Sequence, residues 1–155
     1  MRNLILVSLL FGSGAFAQSL ELKVVSDIPN GTQLSFSKDL AFGARISEVD
    51  VSGGSTDFKC TVRLSLVDDA NAYLLSAGEK LDVIGVSTKY GNPNDGDFTG
   101  DQPVMLLKSD KLPSAGIKVT CAKRGRDLDS NQFLVEDFLR VTGAKIEQVA
   151  APVRL

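Results

Sequence analysis

Nine consecutive residues, Phe58 to Leu66, alternate apolar and polar side chains without a break. A β-strand points successive side chains to opposite faces, so this pattern predicts a strand with one buried face. Cys60 lies on that face. A second segment, from Ile117 to Cys121, has the same period and also groups its cysteine with apolar residues. We therefore predict two inward-facing strands, each carrying one of the two cysteines of the chain.

The N-terminal segment has the three parts of an export signal. Arg2 precedes an apolar run over residues 4–11, and residues 15–17, Ala-Phe-Ala, have the small-x-small pattern that signal peptidase cuts. The apolar run is too short to remain in a membrane as a spanning helix. We therefore expect a signal peptide cleaved after Ala17, and a periplasmic or secreted location for residues 18–155.

An oxidising compartment changes the expectation for the two cysteines. Buried thiols whose Cα atoms lie within about 7 Å of each other can form a disulfide there. We predict a Cys60–Cys121 bridge, which would close a loop of roughly 60 residues and stabilise the fold by about 4 kcal/mol. Two free, buried thiols are the alternative. The chain has no Cys-x-x-Cys motif, which argues against redox catalysis.

Turn residues separate short apolar segments along the rest of the chain. They predict a hairpin over residues 20–37 around Asn30-Gly31, a hairpin joining 73–75 to 81–86, a strand at 104–107 buried on both sides, a turn at 111–116 and a last strand at 145–149. Strands spaced by roughly 8–12 residues favour an antiparallel sandwich or barrel. The predicted fold is all-β or mainly β, antiparallel, and confined to one domain over residues 18–155.

The C-terminal part has a different period. Apolar residues recur there at helical spacing, at Leu134, Phe138 and Val141. Arg140 and Gly143 are typical of a helix end. Polar residues that can cap a helix start precede them, namely Asp127, Asp129 and Ser130. The pattern predicts one short helix within residues 130–142, and a strand over residues 133–141 is the alternative.

The residue types that the chain lacks restrict its chemistry. It has no histidine, which removes the usual general base for serine and cysteine nucleophiles and the usual ligand of zinc and iron. The formal charge of −2, with both signs interspersed, argues against binding of nucleic acid. No apolar run after residue 17 reaches membrane-spanning length, so we do not expect an integral membrane protein. No catalytic or cofactor-binding residue is predicted.

A polar segment over residues 92–101 is the best candidate for a metal site. Its oxygen-bearing residues alternate along the chain: Asp95, Asp97, Thr99 and Asp101. Gly100 would allow the sharp bend of a calcium loop. The spacing resembles the start of an EF-hand loop, although Leu106 stands where that loop has its bidentate glutamate. The two interpretations are a calcium site and an ordinary surface loop.

A predicted export signal, together with the lack of recognisable catalytic residues, favours a non-catalytic protein that acts by binding. We expect a structural, adhesive or ligand-binding module of the cell envelope or exterior, whose partner is a protein or an envelope component. Such a module should expose an apolar patch or an open sheet edge. The alternatives are a calcium-dependent form of this module and a carboxylate-based hydrolase. The hydrolase would use pairs such as Asp68/Asp69 or Glu136/Asp137, in a cleft that raises or splits their pKa values.

Overall fold

Antiparallel strands make up most of the molecule. The computed structural model describes residues 22–43, 46–65, 72–89, 102–124 and 132–150. Within these ranges, seven strands form one antiparallel sheet that curls into a half-barrel, and two more form a small second sheet. One short helix lies near the C-terminal end. The mainly β, antiparallel fold that the strand spacing predicts is confirmed.

The strands and the helix follow one another along these residues. In chain order the strands are β1 Gln33–Phe36, β2 Leu40–Phe42, β3 Ile46–Asp50, β4 Phe58–Ser65, β5 Tyr73–Leu75, β6 Leu81–Lys89, β7 Gln102–Ser109, β8 Leu112–Lys123 and β9 Ala144–Gln148. The helix α1 spans Val135–Thr142, and a 3-10 turn spans Val25–Asp27. The spatial order in the large sheet is β3-β4-β8-β7-β6-β1-β9, so β3 and β9 are its edges. Strand β2 pairs with β5 in the small sheet.

Strands β4 and β8 hold the two cysteines opposite each other. Their register pairs Cys60 with Cys121, and the two Cα atoms lie 4.1 Å apart. The predicted disulfide joins them, and both residues are buried. Phe58, Val62 and Leu64 share the buried face of β4, as the alternation predicts. The disulfide is consistent with an oxidising location outside the cytoplasm.

Backbone hydrogen bonds explain why these two side chains meet. The Cys60 N–H donates to Ser52 Oγ at 2.8 Å, and the Cys60 carbonyl accepts from the Val51 N–H at 2.8 Å. The backbone of Cys60 therefore faces away from β8, and the cysteine pair occupies a non-hydrogen-bonded position of the ladder. Side chains approach most closely at such positions, which favours a cross-strand bridge.

The inward face of the large sheet shares one apolar core with α1 and the small sheet. Phe138 of α1, Phe42 of β2 and Leu75 of β5 belong to the same buried cluster as the disulfide. The Phe58 ring meets the Phe133 ring edge to face at 5.3 Å between centroids. Because α1 and the small sheet both pack against the inward face of the large sheet, its opposite face lies outside this core.

Helix α1 confirms the helical interpretation of the C-terminal segment, and the strand alternative is wrong. It ends at Gly143, which has φ 67° and donates its N–H to the Leu139 carbonyl, as expected of a glycine C-cap. Leu134 is the N-cap residue and gives no side-chain cap. The predicted capping residues Asp127, Asp129 and Ser130 lie outside the described residues.

Both predicted hairpins are wrong. Val25–Asp27 form the 3-10 turn, and β1 pairs with β6 and β9 instead of with residues 22–24. Residues 20–21 of the predicted first arm lie outside the described residues. Strands β5 and β6, the arms of the second predicted hairpin, lie in different sheets. The turn at Asn30-Gly31 is present, and Gly31 has φ 84°. Turn residues thus reverse the chain without deciding which strands pair.

Two smaller predictions about β7 and β8 also need correction. Met105 and Leu107 are buried but Leu106 is exposed, so β7 packs against the core with one face and not with two. The turn predicted over residues 111–116 is confined to residues 110–111, because β8 already begins at Leu112. The predicted last strand is present as β9.

Candidate binding surface

Side chains that point away from the core form an outer face on the large sheet. The register places five residues in one row across five strands: Gly85, Leu106, Lys118, Arg63 and Glu48. From β6 to β3, this row changes from apolar to basic to acidic. Such a combination on one face is where a partner could make both apolar and ionic contacts.

A β-bulge lies at the apolar end of the row. Ile84 and Gly85 of β6 together oppose Leu106 of β7, because the register shifts by one residue after Val83. Ile84 is 52% exposed and Leu106 is 45% exposed, since each follows a buried residue of its strand. The Leu106 Cδ1 atom lies 3.8 Å from the position that a Cβ on Gly85 would take, so leucine packs over the glycine. Two large apolar side chains therefore lie side by side on the outer face.

The basic centre of the row is a pair of like charges. Arg63 lies directly opposite Lys118 in the β4–β8 register. Neither cation forms a hydrogen bond or an ion pair with a residue that the structure describes. Like charges at directly opposite positions destabilise a sheet by a few tenths of a kcal/mol to about 1 kcal/mol. We name the group of Ile84, Leu106, Lys118 and Arg63 the basic–apolar surface.

Small side chains leave room beside the basic pair. Thr61 and Thr120 face each other one row further along β4 and β8. With Glu48, Lys59 and Ala122 they line an open depression of about 250 Å³ on the outer face. Because Glu48 adds a negative charge at its border, this depression does not itself favour an acidic group.

Sequence reasoning did not identify this surface. The alternation rule treats residues 81–86 as one strand, and it does not tell which of Val83, Ile84 and Val86 turns outward. The signal that could have shown the change of face is Gly85, because an isolated glycine within a strand pattern often marks a bulge. The pairing of Arg63 with Lys118 depends on the β4–β8 register, which the chain order does not reveal.

A buried carboxylate lies at the ends of several strands. Only 4% of the Glu79 side chain is exposed. Its Oε1 accepts from the Ser109 hydroxyl at 2.7 Å and from the Tyr73 hydroxyl at 3.2 Å. Its Oε2 accepts from Lys111 Nζ at 3.1 Å. Glu79 thereby joins β5, the end of β7 and the β7–β8 turn.

The pKa values of this cluster identify a structural carboxylate. Burial alone would raise the pKa of Glu79, but the bonds from Ser109 and Lys111, the Lys111 charge and the Tyr73 bond together lower it. Burial, followed by the Glu79 charge, raises the pKa of Tyr73. An ionised carboxylate with three donors is not poised to give up a proton as a general acid.

The carboxylate pairs expected of a hydrolase find no support among the described residues. Asp68 and Asp69 lie outside them. Glu136 is exposed on α1, and Asp137 accepts from Arg140 Nη2 at 2.6 Å. The Asp137 carboxylate is therefore already paired with a cation on its own helix.

A cavity of about 500 Å³ lies between the β1–β2 turn, the end of β3 and the C-terminal end of α1. Its two carboxylates are already committed to turns. Asp39 Oδ1 accepts from the Ala77 N–H, and Asp50 Oδ1 accepts from the Ser52 N–H, each at 2.7 Å. The side-chain and backbone bonds with Ser52 lower the pKa of Asp50. A lowered pKa does not suit Asp50 to act as a general acid.

The candidate calcium residues Asp95, Asp97, Thr99 and Asp101 lie outside the described residues. Within the described ranges, no three aspartate, glutamate or cysteine side chains are grouped so that they could hold a metal ion. The calcium interpretation of residues 92–101 therefore stays a prediction.

Comparison with known proteins gave no match: no family model fits the chain, and neither a curated protein nor a solved structure is significantly similar to it. Among the residues described, no helix has the length and apolar character needed to cross a membrane. The basic–apolar surface and the bridged sheet are therefore the features from which a function must be argued.

Proposed function

We propose that this protein is an exported, non-catalytic binding module that holds an acidic partner protein of the cell envelope through its basic–apolar surface. The observation that carries the proposal is the placement of two exposed apolar side chains next to two cations that form no ion pair with a described residue. Glu48 lies opposite Arg63 in the register but forms no ion pair with it. The signal peptide predicted over residues 1–17 and the Cys60–Cys121 bridge support export to the periplasm or the exterior.

The chemistry of the surface defines the kind of partner. Covering Ile84 and Leu106 would remove apolar area from water, at about 25 cal/mol per Å². A carboxylate placed between Arg63 and Lys118 would turn a repulsive pair into two attractive contacts. The partner is therefore expected to present an acidic side chain next to an apolar one.

The test uses a charge reversal whose effects on folding and on binding have opposite signs. In Lys118→Glu, the new carboxylate lies opposite Arg63, so the free energy of unfolding should rise by about 0.5 kcal/mol. The same change removes one binding cation and masks the other. Capture of a partner from envelope extract on the immobilised variant should therefore fall at least tenfold, by about 1.4 kcal/mol or more.

Lys38→Glu is the matched control, because Lys38 is an exposed lysine in the β1–β2 turn and the charge change is identical. Mass spectrometry identifies what the wild-type protein captures, and elution with increasing salt measures the ionic contribution. Equal capture by the wild-type protein, Lys118→Glu and Lys38→Glu would contradict the proposal, as would a captured partner without an acidic surface. Detection of Met1 in protein from the native host would contradict the export part alone.

A further inference from the structure

The two edges of the large sheet differ in the charges that they carry. In the described part of the chain, no strand pairs with the outer side of β3 or of β9. Unpaired edges are templates for another strand, and proteins commonly protect them with charged side chains. Strand β3 carries two acidic residues, Glu48 and Asp50, whereas β9 carries one residue of each sign, Lys145 and Glu147. This difference decides which edge can pair with a copy of itself.

Backbone groups of β9 point outward at Ile146. The Ser37 N–H donates to the Gly143 carbonyl at 2.9 Å, so this carbonyl faces β1. Backbone groups alternate between the two sides of a regular strand, so those of Lys145 face β1 and those of Ile146 face the open side. The pairing with β1 becomes irregular after Ile146, where Glu147 is an extra residue in β9. One donor and one acceptor at Ile146 are therefore directed toward a possible neighbouring strand.

The two charged residues of β9 lie on the same face. Ser35 of β1 is opposite Lys145, and its hydroxyl donates to Glu147 Oε1 at 2.5 Å. Neither Lys145 nor Glu147 forms an ion pair with a described residue. Both side chains are exposed. Glu147 Oε1 accepts from Ser35, which leaves its Oε2 to meet a cation on another chain.

Antiparallel pairing of two copies of β9 about Ile146 satisfies both charges at once. Ile146 exchanges two backbone hydrogen bonds with its copy, and Lys145 of each chain then lies opposite Glu147 of the other. These are non-hydrogen-bonded positions, where side chains approach most closely and opposite charges stabilise a pair. For β3, pairing about Val49 would instead oppose Glu48 to Asp50, and pairing about Glu48 would oppose that residue to its copy.

We infer that two copies of this chain associate edge to edge through β9, with the two-fold axis between the Ile146 residues. The contact is isologous, so it closes at a dimer and covers one edge of each sheet. It lies apart from the basic–apolar surface and does not depend on the function proposed for that surface.

Charge reversal on β9 tests the dimer. We expect the oxidised wild-type protein to dimerise in sedimentation equilibrium between about 1 μM and about 1 mM, and Lys145→Glu or Glu147→Lys to raise the dissociation constant at least tenfold. Each single variant opposes like charges twice. An equimolar mixture of Lys145→Glu and Glu147→Lys should dimerise again, because every opposed pair is then of opposite sign.

Controls separate this result from a loss of folding. Circular dichroism checks each variant, and Lys38→Glu should dimerise like the wild type. If Glu147→Lys fails to fold after losing its Ser35 bond, Lys145→Glu keeps that bond and still opposes like charges across the contact, so it tests the dimer alone. A wild-type monomer up to about 1 mM overturns the inference, as does a dimer that neither reversal weakens. Oligomers that grow beyond the dimer would indicate β9 pairing with β3, and would overturn it too.

Discussion

Strands of the molecule are joined by a covalent bond at one place and by a buried charge at another. Between β4 and β8, a disulfide joins two buried residues that belong to the apolar core. At the end of β7, the Glu79 carboxylate joins three segments through hydrogen bonds and one ion pair. The covalent link contains no group that titrates, whereas the polar link depends on a charge. The two links should therefore respond to different conditions.

The buried disulfide and the buried carboxylate differ in what they require from their surroundings. The cysteine pair needs no partner beyond itself, so an apolar environment suits it. A buried carboxylate is stable only when its oxygens are satisfied, and Glu79 obtains this from Ser109, Tyr73 and Lys111. Substitutions that remove the disulfide or the Glu79 carboxylate measure what each link contributes to the free energy of unfolding.

The largest effect is expected from the disulfide. Replacement of both cysteines, Cys60→Ala with Cys121→Ala, should lower the free energy of unfolding by about 4 kcal/mol, because the unfolded chain loses a loop constraint of 61 residues. Urea titration measures the change. Reductant should destabilise the wild type to a similar extent and leave the variant unaffected. A loss below about 1 kcal/mol would mean that the fold does not rely on the bridge.

A smaller loss is expected at the polar link. Glu79→Ala should lower the free energy of unfolding by about 2 to 3 kcal/mol, because the buried Ser109 and Tyr73 hydroxyls lose a charged acceptor. Asp110→Asn is a matched control on an exposed acid of the β7–β8 turn, and it should change stability by less than about 0.5 kcal/mol. Equal effects of the two substitutions in urea titration would show that the Glu79 network adds no more to the free energy of unfolding than an exposed acid does.

Acid should reveal only the charged part of the Glu79 contribution. Since the fold lowers the pKa of this carboxyl below its ordinary value of 4.5, its stabilisation is fully present above that value. The contribution is lost as the pH falls through the lowered folded-state pKa. Urea titrations over this acidic range should show a steeper decline for the wild type than for Glu79→Gln. Parallel declines in the two proteins would show that Glu79 gains no charge stabilisation in the fold.

The covalent link was predictable from the sequence, and the polar link was not. Cys60 and Cys121 each lie in an alternating stripe, so period alone places both sulfur atoms in the core. Glu79 follows Ala77 and Gly78 in what looks like an ordinary polar turn. Its burial results from Ser109 and Lys111, which are about 30 residues away and approach it only because β6 pairs with β7.

Pairing choices account for most of the other differences. The end of α1 at Gly143 follows from local chemistry, and the sequence indicates it correctly. The first hairpin prediction failed because β1 pairs with β6 and β9, and the second because the chain passes from the small sheet to the large sheet between β5 and β6. The basic–apolar surface needs the pairing of β6 with β7 and the register of Arg63 with Lys118, and neither property is local.

The position of the bridge also sets an order of events during synthesis. Strand β3 is the local neighbour of β4, but β8 reaches its other side only after β5, β6 and β7 have been made. A chain that emerges from its N-terminal end therefore presents an open strand with a reactive thiol for that interval. During this time, strands of other chains can pair with the open edge of β4, and thiols of other proteins can react with Cys60. Rapid synthesis of the segment up to β8 would thus shorten the time in which β4 and its thiol are exposed to such competitors.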